Sequence, residues 1–324
     1  MKILIDTYGA DRGEEVLVMG ALRALEKRDF TPVFIGNKSK IQAELKDKKD
    51  QFEIIHTDEF IDNNEDPARA IRRKKNASIV MAYNMAKEDG NSGILSAGST
   101  GALLAGGLFL AKRIEGIRRA CLATSLPTKN GVTLLMDTGA NMDTKAEYLE
   151  EFGLMGKVYL ENVLAIKNPK IGLLNVGVEE HKGNKLTKET YKLLEKSNMN
   201  FIGNIEARDL LTGKANVILA DGFDGNIAIK TAEGILSLLS KELKDVFYKS
   251  LANKIAAGII KNDLKDMFAS YSADKVGGAP LLGVKSYVYK AHGSSNQEAI
   301  ENAILGLLDY MDKKVIEKIE GEIR

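Results

Sequence analysis

Apolar positions along this chain follow two alternating rhythms. Short, mostly apolar runs, at Ile3-Leu4-Ile5, residues 32–36 and residues 52–56, read as strands. Between them Val16, Met19, Ala21, Leu22 and Leu25 recur at helical spacing over residues 14–27, and a charged helix is expected from Lys38. This alternation predicts an α/β fold built on a doubly wound, largely parallel sheet. It continues with a helix over 79–87, a strand at Ile94-Leu95, and an apolar helix ending near Ala111. Strands are expected at 121–124, 133–136 and 170–176, and again from Phe201, Val217 and Val288. A helix fills 147–163, and one amphipathic helix covers 299–319. Pro127 predicts a loop, and residues 277–283 a tight apolar turn.

Residues 227–271 are helical throughout by pattern. Gly258 and the Asn262-Asp263 pair allow a break there, which predicts two antiparallel helices. The chain therefore reads as one α/β domain over residues 1–324 with a helical hairpin inserted at about 235–271.

Composition narrows the class. The 324 residues are 44% hydrophobic, enough for a large core. Lys plus Arg is 46 against 45 for Asp plus Glu, so the net charge of +1 gives no case for nucleic acid. The one cysteine, Cys121, fits a reducing cytoplasm and sits in an apolar strand as a small hydrophobe. Met1 leads directly into a strand, without a signal-peptide pattern, and the longest apolar run, 102–111, is too short to span a bilayer. A cytoplasmic protein is expected, peripheral at the inner face of the membrane at most.

The chemistry gathers at strand exits. Ser96-Ala97-Gly98-Ser99-Thr100-Gly101 combines hydroxyls, two residues without Cβ and the first N–H groups of a helix, which suits an anion. An ordinary strand–helix turn with a capped helix has the same composition. The loop is neither a Walker A nor a dinucleotide fingerprint. Asp6, Ser96, Asp137, Lys182, Asn226 and His292 are all expected at one edge of a parallel sheet, where ligands sit. There is no zinc-spaced cluster and no Gly-x-Ser-x-Gly elbow, so neither a metal nor a covalent serine intermediate is expected. Positioning and electrostatics remain as the means of catalysis.

The ordered motifs are specific. They run Asp6-x-x-Gly9-x-Asp11, Arg72-Arg73-Lys74-Lys75, Ser96 to Leu104, Asp137-x-Gly139-Ala140-Asn141 and Glu179-Glu180-x-Lys182-Gly183-Asn184. Asp221-Gly222-Phe223-x-Gly225-Asn226, Gly277 to Gly283 and Lys290-Ala291-His292-Gly293-Ser294-Ser295 follow. This set resembles the PlsX family of bacterial phosphate acyltransferases from Lys2 to about Leu307. The resemblance implies an isocitrate/isopropylmalate dehydrogenase-like core, a homodimer, and no cofactor. It also implies acyl transfer from acyl-[acyl carrier protein] to inorganic phosphate, giving acyl phosphate for phospholipid synthesis. Lys182 and Asn226 are assigned by the same likeness to the reacting centre. Asp6, Gly9, Ser96, Gly98, Ser99, Thr100, Gly101, Asp137, Asn141 and Asp221 are the expected phosphate and substrate contacts. His292 is a candidate for proton transfer, or a histidine bonded within its Gly-Ser turn. Tyr8, Ala10, Ser99 and Tyr148 depart from the usual family pattern.

Two other readings share these features: a nucleotide-dependent dehydrogenase on the same core, and a non-catalytic module that binds acyl chains or carrier protein. The basic run Arg72, Arg73, Lys74, Lys75 is either a solvated helix face or a docking surface for acidic acyl carrier protein. Ile255, Ile259 and Ile260, flanked by Lys254 and Lys261, have the composition of a segment lying in a membrane interface. That attachment would bring an insoluble product to the downstream glycerol-3-phosphate acyltransferase.

Overall fold

Strands buried on both faces need helices on both sides, and the chain supplies them in strict alternation at first. A computed structural model describes residues 1–129, 131–270, 275 and 277–323. The opening elements are β1 (Lys2–Asp6), α1 (Glu14–Leu25), β2 (Thr31–Gly36), α2 (Lys38–Leu45) and β3 (Glu53–His56). Then come α3 (Pro67–Arg73), α4 (Ser78–Asp89), β4 (Ser92–Ser96) and α5 (Thr100–Gly106), the last continuing as a π-turn over Gly107–Ala111. The middle holds β5 (Cys121–Leu122), β6 (Thr124–Thr128), β7 (Gly131–Met136), α6 (Ala146–Val163), β8 (Ile171–Asn175), α7 (Lys185–Lys196), β9 (Phe201–Glu206) and β10 (Val217–Leu219). The chain continues with α8 (Gly222–Tyr248), α9 (Leu251–Ser270), β11 (Gly278–Leu282), β12 (Tyr287–Ala291), α10 (Gln297–Asp312) and α11 (Val315–Ile323).

These strands divide between two sheets, not the single sheet edge expected from the sequence. One runs β3-β2-β1-β4-β12-β11-β5, the other β6-β7-β10-β8-β9. The first is parallel from β3 to β12, and the second from β7 to β9. The crossing is made at Ala123, whose N–H donates to Pro280 O at 3.1 Å between the two short strands β5 and β6. Asp6, Ser96 and His292 therefore leave the first sheet, and Asp137, Lys182 and Asn226 the second. The central strands are apolar without alternation, with Ile3, Leu4, Ile5, Val33, Phe34 and Ile94 fully buried.

Several boundaries differ from the pattern-based expectation. Pro127 lies inside β6, where it pairs antiparallel with Val132. The 277–283 stretch is mostly a strand, with Gly278, Ala279 and Pro280 opposite Ala291, Lys290 and Tyr289. The final helix is two, broken where Lys314 takes a positive φ of 49°. Helix α7 has no counterpart in the sequence reading, because its sparse apolar positions are outnumbered by polar ones; Asn184 caps it by accepting from Thr187 N. The hairpin turns at Lys249-Ser250 instead of at Gly258, which lies within α9. Tyr271, its expected end, lies outside the described residues.

Candidate active site

At the exit of β1 and β4 two turns press against each other. Gly9 has φ +88°, and a Cβ there would fall 2.2 Å from Gly98 Cα, so neither turn tolerates a side chain between them. Asp6 is buried beneath. Its carboxylate accepts from Ser96 Oγ at 2.7 Å, from Tyr8 N at 3.2 Å, and from the Ser78 hydroxyl. Ser96 Oγ in turn accepts from Gly98 N at 3.0 Å. Burial raises the Asp6 pKa above the usual carboxylate range, against the pull of these donors. The space beneath the loop, shared by Asp6, Gly9, Ser78, Ser96, Gly98 and Ser99, is only about 20 Å³, room for one water. That space is too small for a phosphate ion. Ser99 Oγ accepts from Ala102 N at 3.4 Å as the cap of α5, a job that asparagine also does. Ala77 stands at the N-cap of α4 without a side-chain cap, and Ser78, its first residue, turns to Asp6.

Lys290, on β12 in register with Ser96, is the group that sequence reasoning left out of the site. Its Nζ donates to Ala97 O at 3.2 Å and to Ala291 O. Burial pushes its pKa down to about 8, with Lys230 of α8 adding to the fall and Asp6 and Asp11 opposing it. Its traces in the sequence are a lysine beside Val288, Tyr289 and Ala291 and the first place in the motif that ends at Ser295. Asp11 N donates to Gly293 O at 2.8 Å, tying the first turn to the His292 turn.

On the second sheet, Asp137 is fully buried and saturated. Its Oδ1 accepts from Leu122 N, Thr138 N and Ala140 N, and its Oδ2 accepts from Asn141 N and Nδ2. Asn141 Nδ2 also donates to Ala120 O at 2.8 Å. These two expected substrate contacts thus hold the turn and the bridge between sheets. Helix α8 begins on top of that turn. Asp221 caps it, accepting from Asp224 N at 2.7 Å, and a Cβ on Gly225 would lie 2.0 Å from Asp137 O. The Asn226 side chain comes to rest over Gly139.

Lys182 lies in the exit of β8, two strands from β7 with β10 between them. Asn175 fixes the loop, donating to Lys182 O at 3.2 Å and accepting from Val176 N at 2.8 Å. Asn204 Nδ2 donates to Glu179 O at 2.8 Å. The Lys182 side chain passes over Gly177 and its end is exposed. His292 is half-buried and lines a cavity with Thr124, Ile229, Ala232 and Glu233, so it faces α8.

The expected contacts thus form groups: Asp6, Gly9, Ser96, Gly98 and Ser99 at one edge, Asp137, Asn141, Asp221 and Asn226 at the start of α8. Lys182 follows β8, the neighbour of the strand β10 that leads into α8, and His292 faces α8 from the first sheet. The departures from the family pattern find local partners. Tyr8 stacks on Phe60 with centroids 4.9 Å apart and donates to Thr57 O at 3.0 Å, and Arg119 lies over the Tyr148 ring. In the basic run, Lys74 is committed to Glu65 at 2.6 Å and to Phe60 O. Arg72, Arg73 and Lys75 stay exposed, Arg72 above the Phe109 ring. Ile255 and Ile259 are 61% and 78% exposed on α9. Among the described residues no helix is long and apolar enough to cross a membrane.

The fold class follows from this architecture. A phosphotransacetylase from Streptococcus pyogenes has the same fold, with a TM-score of 0.65 and 17% identity over 98% of this chain and 94% of that one. A branched-chain phosphotransacylase from Enterococcus faecalis V583 superposes with a TM-score of 0.61 and 15% identity over 96% and 99%. Sequence relatives go further. A family model described as "Fatty acid synthesis protein" matches residues 1–318. The phosphate acyltransferase of Clostridium botulinum (strain Loch Maree / Type A3) is 45% identical over 328 residues, 100% of this chain and 98% of the relative. That of Alkaliphilus oremlandii (strain OhILAs) is 45% identical over 322 residues, 98% of this chain and 96% of the relative. The chain belongs to this family, the PlsX-type phosphate acyltransferases, and is an enzyme of the acyltransferase class. Membership sets aside the dehydrogenase and the non-catalytic module.

Proposed function

We propose that the chain moves a fatty acyl group from acyl-[acyl carrier protein] to inorganic phosphate. A phosphate oxygen attacks the thioester carbonyl, the C–S bond breaks, and the phosphate proton goes to the departing thiolate. The observation that carries this reading is the start of α8. Close approach at Gly225 fixes the helix on the 137–141 turn, and with it Asn226, one strand away from the Lys182 loop. Lys182 then stabilises the developing oxyanion, and Asn226 donates to the carbonyl oxygen or to phosphate. The outer face of the Ser96–Gly101 loop receives phosphate, with His292 as the candidate for proton transfer. Steady-state rates of Lys182→Ala and Asn226→Ala with acyl-carrier protein and phosphate test the assignment. Each is expected to lose roughly 10²–10³-fold in kcat, the usual effect of deleting one oxyanion donor. Near-normal rates in both remove it.

The same proposal includes the partners. Arg72, Arg73 and Lys75 suit an acidic carrier protein, since they are exposed and not committed as Lys74 is. Leu238, Leu239 and Val246 on α8 are each more than half exposed, an apolar surface suited to a second copy in a homodimer. Ile255, Ile259 and Ile260, in the first half of α9 after the hairpin turn, are assigned to reversible attachment at an anionic membrane surface, beside the acyltransferase that consumes the product.

A further inference from the structure

A cavity bordering the candidate site is mainly apolar. It measures about 800 Å³ and lies between α8 and the exits of β8 and β9. Leu174, Leu210 and Leu211 form its inner wall, and Ala228, Ile235 and Leu236 its α8 wall. One end is polar, made by Asn175, Gly183 and Asn184, the immediate neighbours of Lys182. A second, smaller cavity reaches Thr124 and His292, and Leu211, Ala232 and Leu236 line both. The apolar space therefore meets the candidate reaction centre from two sides. Its size is that of a site for one small molecule.

We infer that this cavity holds the hydrocarbon chain of the acyl substrate, with the carbonyl end at the Lys182 loop. The inference rests on the acyl-transfer reading above and deepens it. The chemistry favours this occupant: leucine, isoleucine and alanine walls recognise methylenes by excluding water, the end beside Lys182 offers amide donors to a thioester carbonyl, and the charged lining residues Arg208 and Asp224 are exposed to solvent. A chain seated here makes turnover depend on chain length, because each methylene removed from water contributes about fourfold to kcat/KM. Ala228 sits on the wall, and Thr231, one turn further along, is exposed at the rim. Bulk at either position shortens the space.

The experiment compares kcat/KM for palmitoyl- and butyryl-carrier protein in wild type, Ala228→Trp and Thr231→Phe, with sedimentation to follow the oligomeric state. Thr231→Phe changes a surface position and keeps the test alive if the tryptophan variant does not fold. The palmitoyl-to-butyryl ratio is expected to fall about tenfold or more in both variants, the scale of discrimination that a filled apolar pocket gives. Displacement of cis-parinaric acid by palmitate from the carrier-free protein is expected to weaken in parallel. A wild-type ratio in both variants overturns the assignment. So does an unchanged ratio accompanied by altered self-association, which identifies a second copy of the chain as the occupant. Wild type that consumes both thioesters equally well also overturns it, and leaves acyl transfer standing. Wild type that consumes neither overturns acyl transfer and the chain site together.

Discussion

Lys290 is the residue whose surroundings carry the sharpest consequence. Its ammonium is buried against Ala97 O, at the base of the 96–101 loop, and its pKa is pushed down to about 8. Below that pH it is charged and draws an anion toward the loop; above it the attraction is lost. The KM for phosphate is therefore expected to rise as pH passes through about 8, while kcat changes less. Lys290→Met is expected to raise that KM by about tenfold at lower pH, the order of a hydrogen bond to a charged group, and to flatten its rise near 8. A variant with the wild-type pH profile contradicts this role. Stability moves the other way. Between about 8 and 10.5 the unfolded chain holds a proton on this lysine that the folded one has released, so its contribution to stability rises with pH across that window. The sequence did not announce any of this. Lysine in an apolar strand becomes informative only once Asp6, Asp11 and Lys230 come around it from distant segments. Asp137 is read from the sequence as a substrate contact, and in the fold its carboxylate accepts from the 138–141 turn and from Leu122 N of β5.

At the scale of elements, the start of α8 is where fold and site coincide. Asp221 caps the helix and Gly225 lets it touch the preceding turn. Asp221→Ala is expected to lower stability by about 1 kcal/mol, the typical cost of a lost cap, as read from urea midpoints. Gly225→Ala is expected to cost about 1–3 kcal/mol, since its Cβ meets Asp137 O and one segment must shift. It should also lower kcat, because Asn226 moves with the helix. A Gly225→Ala enzyme with wild-type stability and rate contradicts the close approach. Most of these elements were legible from periodicity, since β1, β2, β4 and α6 are long or strongly patterned. The errors fell where tertiary pairing overrides local signals. Pro127 reads as a break, yet it faces Val132 on an edge strand, where a missing N–H costs no ladder bond. Gly258 and Asn262-Asp263 carry the stronger breaking signals, yet both lie within α9, and the hairpin turns at Lys249-Ser250, which carries none.

The whole molecule presents two surfaces beyond the site. The exposed isoleucines of α9 predict that wild type sediments with anionic vesicles and that Ile255→Glu/Ile259→Glu stays in the supernatant while still turning over. Equal behaviour of the two proteins removes membrane attachment through this arm. The division into two sheets was hidden from the sequence. Cys121–Thr124 reads as one strand, but the chain leaves one sheet and enters the other at Ala123. Most of the motifs were legible because they mark strand exits, which the fold gathers; Arg72 to Lys75 ends α3 and Gly277 to Gly283 is mostly β11. The central claim is acyl transfer to phosphate without a covalent enzyme intermediate. Its most direct test is to incubate the purified enzyme with palmitoyl-carrier protein, with and without phosphate, following free thiol and acyl phosphate together. The account predicts that thiol appears only with phosphate, matched one for one by acyl phosphate, with no burst of thiol when phosphate is absent. Thiol release without phosphate, or without acyl phosphate, would contradict it.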